Sequence, residues 1–253
     1  MENKLRCKIS RNHLIYIVIV CISFLLLIIV GIAQNNKTQK HLKVYNNLTL
    51  STFGDSITSQ GLWQPHVVAE LGFSKHNNYG ISGTKVSGTT KNAMWQDFRI
   101  DQISKKSDVI LFMGGTNDWS HNVPLGNINS NDTQTFYGAL NVISSKLISR
   151  FPNSKIIFLS TTFAMAPKRS TFKNKTGILN DLGLMNIDYG KATQKVAKEK
   201  NISFIDLTNC DFSKDNIANY TTFDGNYIHP NTDGAKKMAQ VIVARLREIK
   251  TTK

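Results

Sequence analysis

Short apolar runs that alternate with helix-length amphipathic segments constrain the fold of this 253-residue chain more than any other feature. Four runs have the length and composition of buried strands: residues 48–53, 108–115, 155–161 and 202–207. A weaker strand candidate occupies residues 75–80. Between the runs, apolar side chains recur every three or four positions, as in residues 136–151 and 235–249. This alternation predicts one three-layer α/β domain, a parallel sheet with helices on both faces.

A long uncharged segment near the N-terminus, residues 14–33, indicates where the domain resides. Its length is what a helix needs to cross the ~30 Å hydrocarbon core of a membrane. Basic residues precede it, so we expect a cytoplasmic tail at residues 1–13, a transmembrane anchor at 14–33, a linker at 34–46 and an extracytoplasmic domain at 47–253. The alternative is a secretory signal peptide cleaved after Ala33, although its apolar core would exceed the usual length of about 7–15 residues.

The net charge of +14 bears on the partners of the domain. Residues 1–33 contribute +3 of this charge, which leaves +11 for residues 34–253. A basic surface favours anionic partners, but an exported domain rarely meets nucleic acid, so we expect none. The membrane would be contacted through the N-terminal helix. Cys210 is the one cysteine outside the tail and anchor, and no spacing of cysteine and histidine indicates a metal site.

Polar segments follow the predicted strands, at the sheet edge where ligands bind in such folds. Ser56 lies in FGDSIT after the first strand, Gly80 in NYGISG after the second and Asn117 in GGTND after the third. His229 lies in IHPN, before the last helix. A serine hydroxyl becomes a nucleophile when a histidine takes its proton, and N–H groups stabilise the oxyanion that then forms.

Together and in this order, these segments resemble those of the SGNH (GDSL-type) hydrolase family over roughly residues 48–247. The resemblance implies a flavodoxin-like fold and hydrolysis of esters, often O-acetyl groups on carbohydrates, without metal or organic cofactor. It implies that Ser56 is the nucleophile and His229 the base. The implied oxyanion hole consists of the Ser56 and Gly80 N–H groups and the Asn117 side-chain amide.

The chain departs from the family pattern ahead of the histidine. The family usually has an aspartate three residues before it, where this chain has Asn226, and Asp224 lies five residues before His229. Asp224 can accept a hydrogen bond from the imidazole if residues 225–226 form a turn that loops residues 227–228 outward. Asn226 could instead orient the ring through its amide oxygen, or a backbone carbonyl could do so. These three alternatives remain open.

Aromatic side chains near the motifs are candidate substrate contacts, because aromatic rings at a cleft mouth can stack on sugars. The candidates are Trp119, Trp63 and Tyr227. Asp55 and Asp118 are expected to hold loops by accepting backbone N–H groups.

These expectations describe an extracytoplasmic serine esterase that acts on an acylated glycan or another small ester, with O-deacetylation of a polysaccharide or wall glycan as the predicted reaction. The alternatives are a glycan O-acetyltransferase using the same residues, a lysophospholipase or thioesterase, and a non-catalytic glycan-binding protein.

Overall fold

The computed structural model describes residues 20–31, 43–169 and 171–251. The chain divides into two compact units, Met1–Leu42 and Lys43–Lys253. In the first unit, residues 20–31 form helix α1, whose side chains are exposed. Within the described ranges, no helix has both the length and the apolarity needed to cross a membrane. The predicted tail, the rest of the predicted anchor and most of the predicted linker lie outside the described residues.

The second unit is built on a five-stranded parallel sheet with the strand order β2-β1-β3-β4-β5. The strands are β1 (Thr49–Gly54), β2 (Lys75–Gly80), β3 (Val109–Met113), β4 (Lys155–Leu159) and β5 (Ser203–Ile205). This is the flavodoxin-like order, in which ligands bind at the carboxyl ends of the strands. Each strand coincides with a predicted run to within two residues at either end, so the predicted α/β fold with a parallel sheet is confirmed.

Helices cover both faces of this sheet. They are α2 (Ser56–Ser59), α3 (Gln64–Leu71), α4 (Asp97–Asp101), α5 (Thr116–Ser120), α6 (Phe136–Arg150), α7 (Asn186–Glu199), α8 (Ile217–Tyr220) and α9 (Thr232–Thr251). Alternate side chains of β3 point to opposite sides: Val109, Leu111 and Met113 pack with residues of α3 and α9, whereas Ile110 and Phe112 pack with residues of α6 and α7. Burial on both faces explains why the strands read as continuous apolar runs.

A small antiparallel hairpin precedes the last helix. It consists of β6 (Thr221–Phe223) and β7 (Tyr227–Pro230), which form a two-stranded sheet separate from the central one. Helix α9 follows at once, and its N-terminus is capped by Asn231, whose Oδ1 accepts hydrogen bonds from the Asp233 and Gly234 N–H groups at 3.0 Å. The hairpin, and not a loop, therefore carries the histidine.

Candidate active site

Ser56 is fixed by a tight turn between β1 and α2. It is the first residue of the helix and is half-buried. Asp55 caps this helix, its Oδ1 accepting a hydrogen bond from the Ile57 N–H at 3.0 Å. A Cβ added to Gly54 would lie 2.4 Å from the Met113 carbonyl oxygen, so only glycine permits this close approach. The turn thus presents the Ser56 hydroxyl at the carboxyl end of the sheet.

His229 lies between Ser56 and Asp224. Its Nε2 is 2.8 Å from Ser56 Oγ, a hydrogen-bond distance. Its Nδ1 is 3.5 Å from Asp224 Oδ2, which is an ion-pair contact longer than an ordinary hydrogen bond. A proton on Nδ1 facing the carboxylate leaves Nε2 free to accept the serine proton. The structure thus places Ser56, His229 and Asp224 in contact in series, and their catalytic roles stay a prediction.

The turn between β6 and β7 decides which residue faces the imidazole. Gly225 has φ +97°, and the Asn226 N–H donates to Asp224 Oδ1 at 3.1 Å, so residues 225–226 form a turn as expected. Asn226 makes no hydrogen bond to His229, and its Oδ1 is buried without a partner in the described part of the chain. Of the three alternatives, the geometry favours Asp224 as the partner of His229.

The expected outward loop at residues 227–228 is wrong. Tyr227 is part of β7 and exchanges two backbone hydrogen bonds with Met165, at 3.1 and 2.7 Å. Ile228 packs against the core. Strand pairing on both sides of Tyr227 holds it in extended conformation. The Tyr227 ring is half-buried, 4.8 Å from the ring of Phe223, and its contact with substrate stays a prediction.

Asn117 lies in α5, immediately beyond β3, and one of its amide hydrogens is already used. Its Nδ2 donates to the Thr84 carbonyl at 3.0 Å, which leaves the second N–H of the amide. The neighbouring Asp118 is buried and accepts from the Val86 N–H at 2.8 Å and from the Ser87 N–H and hydroxyl at 3.0 and 2.6 Å. The expectation that Asp118 holds a loop is confirmed, and that loop sets the position of Asn117.

The expected role of Gly80 needs correction. Its N–H donates to Asn78 Oδ1 at 2.9 Å and is therefore already engaged. A Cβ added here would lie 2.3 Å from the Ser59 nitrogen. The glycine is needed because β2 passes close to α2.

Gly83, in the same NYGISG motif, is the residue that the sequence reasoning missed. It is exposed, with φ +74°, and its N–H makes no hydrogen bond in the described part of the chain. It directly precedes Thr84, the residue that binds the Asn117 amide. Two unoccupied donors, the Gly83 N–H and the second Asn117 N–H, are thus held close together by this contact. The second glycine of this motif was the signal available in the sequence, because glycine is the residue that most readily adopts a left-handed turn.

The two tryptophans cannot contact substrate as expected. Trp63 and Trp119 are both completely buried. Trp119 donates from Nε1 to the Leu184 carbonyl at 3.1 Å and packs edge-on against Phe172, with ring centroids 5.1 Å apart. These predictions are wrong because packing between layers covers both rings, which leaves no face for a sugar.

The carboxyl group of Asp55, next to Ser56, has an unusual environment. Burial is the main cause that raises the pKa of Asp55 to about 7, and the charge of Asp118 adds to the effect. One Asp55 oxygen holds the Ile57 N–H, and the other has no partner among the described residues. The expected loop-holding role is confirmed for this residue. Within the described ranges, no cluster of acidic, histidine and cysteine side chains has the size of a metal site.

Comparison with protein families gives one match. The model of the GDSL-like Lipase/Acylhydrolase family matches residues 52–237, a range that contains Ser56, Asn117 and His229. Comparison with curated proteins gives no match.

Solved structures share the fold. A Lactobacillus plantarum protein is 24% identical with a TM-score of 0.71, over 80% of this chain and 98% of that one. A Chitinophaga pinensis protein described as a "possible lipase" is 18% identical with a TM-score of 0.61, over 80% of this chain and 99% of that one. A GDSL-like lipase from Bacteroides thetaiotaomicron is 19% identical with a TM-score of 0.54, over 84% of this chain and 90% of that one. At these identities the likeness concerns the fold alone.

Proposed function

Because the chain belongs to the GDSL-like lipase/acylhydrolase family, a group of ester hydrolases of the SGNH type, we propose that it is a serine esterase whose nucleophile is Ser56. The observation that carries the proposal is the 2.8 Å contact between His229 Nε2 and Ser56 Oγ. A serine hydroxyl in this contact can lose its proton to the imidazole as it attacks a carbonyl carbon.

The reaction follows the acyl-enzyme route. Ser56 Oγ bonds to the acyl carbon, and His229 accepts the hydroxyl proton and then passes it to the departing alcohol. Asp224 stabilises the imidazolium that exists between these transfers. Water then loses a proton to His229 as it attacks the acyl carbon. The bond between this carbon and Ser56 Oγ breaks, and His229 returns the proton to Oγ, which releases the acid and restores the hydroxyl.

The oxyanion of each tetrahedral intermediate needs donors that are free in the resting enzyme. We assign this role to the N–H groups of Ser56 and Gly83 and to the second N–H of the Asn117 amide. The Ser56 and Gly83 N–H groups make no hydrogen bond in the described part of the chain, and Asn117 uses one of its two amide hydrogens.

The substrate we propose is an O-acetylated polysaccharide or wall glycan outside the cytoplasm. The uncharged segment at residues 14–33 with basic residues before it supports an exported, membrane-anchored domain. The charge of +11 on residues 34–253 supports an anionic polymer as the carrier of the acyl group.

The test compares the full-length chain with its Ser56→Ala variant in hydrolysis of 4-nitrophenyl acetate. We expect Ser56→Ala to lower kcat by a factor of about a thousand or more, because no other group replaces the nucleophile. Ser59→Ala is the matched control, since Ser59 is an exposed serine of the same short helix, and it should keep wild-type turnover. Equal turnover in wild type and Ser56→Ala, or none in a folded wild-type chain, would contradict the proposal.

The glycan substrate is tested by acetate release from O-acetylated polysaccharide, with the chemically deacetylated polymer as blank. Release in water alone is expected for a deacetylase. Transfer of the acetyl group to an added sugar acceptor, without release of acetate, would instead identify a transferase.

A further inference from the structure

The long loop between β4 and α7 lies against the hairpin that carries His229. Met165, in this loop, pairs with Tyr227 of β7 through two backbone hydrogen bonds. Four residues further along the loop, Arg169 is half-buried and faces the C-terminal end of α5. The loop therefore delivers an arginine to the space between the Asn117 helix and the catalytic hairpin.

The Arg169 guanidinium is held by uncharged acceptors. Its Nε donates to the Ser120 carbonyl at 3.3 Å, and its Nη2 lies 3.0 Å from His121 Nε2. His121 Nδ1 lies 2.8 Å from the Asn117 carbonyl oxygen, which can only accept, so Nδ1 carries the ring proton and Nε2 accepts from the arginine. His121 thus links the arginine to the helix of the proposed oxyanion donor.

The positive charge of Arg169 is not neutralised by an ion pair within the part of the chain that the structure describes. Among the described residues, no carboxylate forms a salt bridge with it, and its Nη1 makes no hydrogen bond. Burial lowers the pKa of Arg169, whereas the charge of Asp224 acts in the opposite direction, which places the guanidinium within electrostatic range of the catalytic hairpin. Asp224 itself contacts His229.

A second cation stands beside the same hairpin. Lys168 is exposed, and its Nζ lies 5.5 Å from the centre of the Phe223 ring, next to the turn at Gly225. A guanidinium with a fixed orientation and a free Nη1 offers parallel N–H donors to a carboxylate or phosphate, whereas a flexible lysine adds only charge.

We propose that Arg169, oriented by His121, is an anion subsite, and that the esters hydrolysed at Ser56 carry a carboxylate or phosphate group. The statement about the esters rests on the proposed esterase function. The binding of an anion at Arg169 can be measured whether or not an ester is cleaved.

The kinetic test uses the full-length chain and three acetyl esters: methyl 4-acetoxybenzoate, which is neutral, 4-acetoxybenzoate and 4-acetoxyphenyl phosphate. For wild type we expect kcat/KM to be about ten-fold higher for an anionic ester than for the neutral one, chiefly through KM. The preferred anion distinguishes a carboxylate from a phosphate substrate. The advantage should shrink as salt is added, because salt screens charges at a half-exposed site.

Three variants assign the preference to one side chain. Arg169→Gln should reduce the ratio of kcat/KM for the anionic ester to kcat/KM for the neutral ester to near one, and Arg169→Lys should restore part of it. Lys198→Gln removes an exposed charge on α7 and should leave the ratio unchanged. Because each ratio is measured within one variant, losses of folded protein or of general activity cancel.

Binding measured by calorimetry separates the subsite from the esterase. The probes are 4-acetamidobenzoate and its methyl ester, in which an amide replaces the labile ester. The subsite is supported if wild type binds the carboxylate more tightly than the methyl ester and Arg169→Gln abolishes this difference. If this result is obtained and no ester is cleaved, the proposed function alone has failed. Carboxylate-to-neutral ratios that are the same in wild type and Arg169→Gln, in binding and in kinetics, would overturn the proposal.

Discussion

His229 contacts a hydroxyl on one side and a carboxylate on the other, and the two contacts differ in strength. The serine contact of 2.8 Å is an ordinary hydrogen bond, whereas the aspartate contact of 3.5 Å is an ion pair with a carboxylate side chain that is 53% exposed. Water can reach such a carboxylate and compete for the imidazole. The orienting effect of Asp224 should therefore be smaller than that of a buried triad aspartate, whose amide variant loses about 10⁴ in kcat.

Substitution at the hairpin turn tests this assignment. Asp224→Asn should lower kcat for 4-nitrophenyl acetate about a hundred-fold, because the amide removes the charge that stabilises the imidazolium. Asn226→Ala should change kcat by less than about three-fold. The opposite pattern would transfer the role to Asn226. Wild-type rates in both variants would indicate that a backbone carbonyl orients the imidazole.

At the scale of residues, the sequence identified groups that chemistry requires but not groups that packing decides. Ser56 and His229 lie in motifs whose order along the chain pointed to their contact. Trp119 lies two residues beyond Asn117 along the chain, yet its ring turns into the core, and nothing in its neighbours in sequence distinguishes the two directions. Gly80 and Gly83 share one motif, and the free N–H of the second is visible only once the hydrogen bonds are known.

Among the secondary-structure elements, α4 contributes a buried cation that ties two strands together. Arg99 is completely buried, and its Nη2 donates to the Tyr79 carbonyl at 3.0 Å and contacts the Gly54 carbonyl at 3.5 Å. Its guanidinium lies 5.1 Å from the centre of the Phe53 ring. Burial lowers the pKa of Arg99 to about 10, which still leaves it charged at neutral pH. The side chain thus joins the ends of β1 and β2, the strands that lead into Ser56 and the NYGISG loop.

Removal of this tie should lower stability. Arg99→Leu removes the guanidinium that donates to the Tyr79 and Asn92 carbonyls and contacts the Phe53 ring, and we expect the free energy of unfolding to fall by about 3 kcal/mol, measured by urea denaturation. Arg245→Leu, which removes an exposed arginine paired with Glu248 on α9, should change it by less than about 0.5 kcal/mol. Equal effects of the two substitutions would show that Arg99 is not a structural tie.

Elements were predictable in proportion to their length and regularity. Continuous apolar runs predicted the strands, and apolar residues spaced by three or four positions predicted the long helices α6 and α9. The hairpin of β6 and β7 was missed, because strands of three and four residues with polar side chains and a proline show no alternating pattern. Short helices such as α2 and α5 span a single turn, which is too brief for any periodicity.

For the molecule as a whole, the buried carboxyl of Asp55 makes stability depend on pH. Its pKa in the folded chain is raised from 3.8 to about 7, so between these values the folded chain holds a proton that the unfolded chain has released. This contribution to stability is present at low pH and is lost as pH rises through about 7.

Asp55→Asn removes this dependence while retaining an oxygen for the helix cap. On going from pH 4 to pH 8, the variant should gain up to about 4 kcal/mol relative to wild type, at about 1.4 kcal/mol for each unit of pKa change. Thermal unfolding across this range measures the gain. Asp215→Asn, at an exposed carboxylate, should run parallel to wild type. Parallel curves for Asp55→Asn as well would contradict the shifted pKa.

The distance along the chain between Ser56 and His229 has a consequence for when the proposed activity can begin. The two residues are 173 positions apart, and α9, which directly follows the hairpin, packs against α3 from the beginning of the domain. A ribosome releases Ser56 long before it releases His229. A nascent or truncated chain that lacks the hairpin therefore holds a serine without its histidine, and the proposed esterase chemistry begins only after the hairpin has been synthesised and has packed against α2.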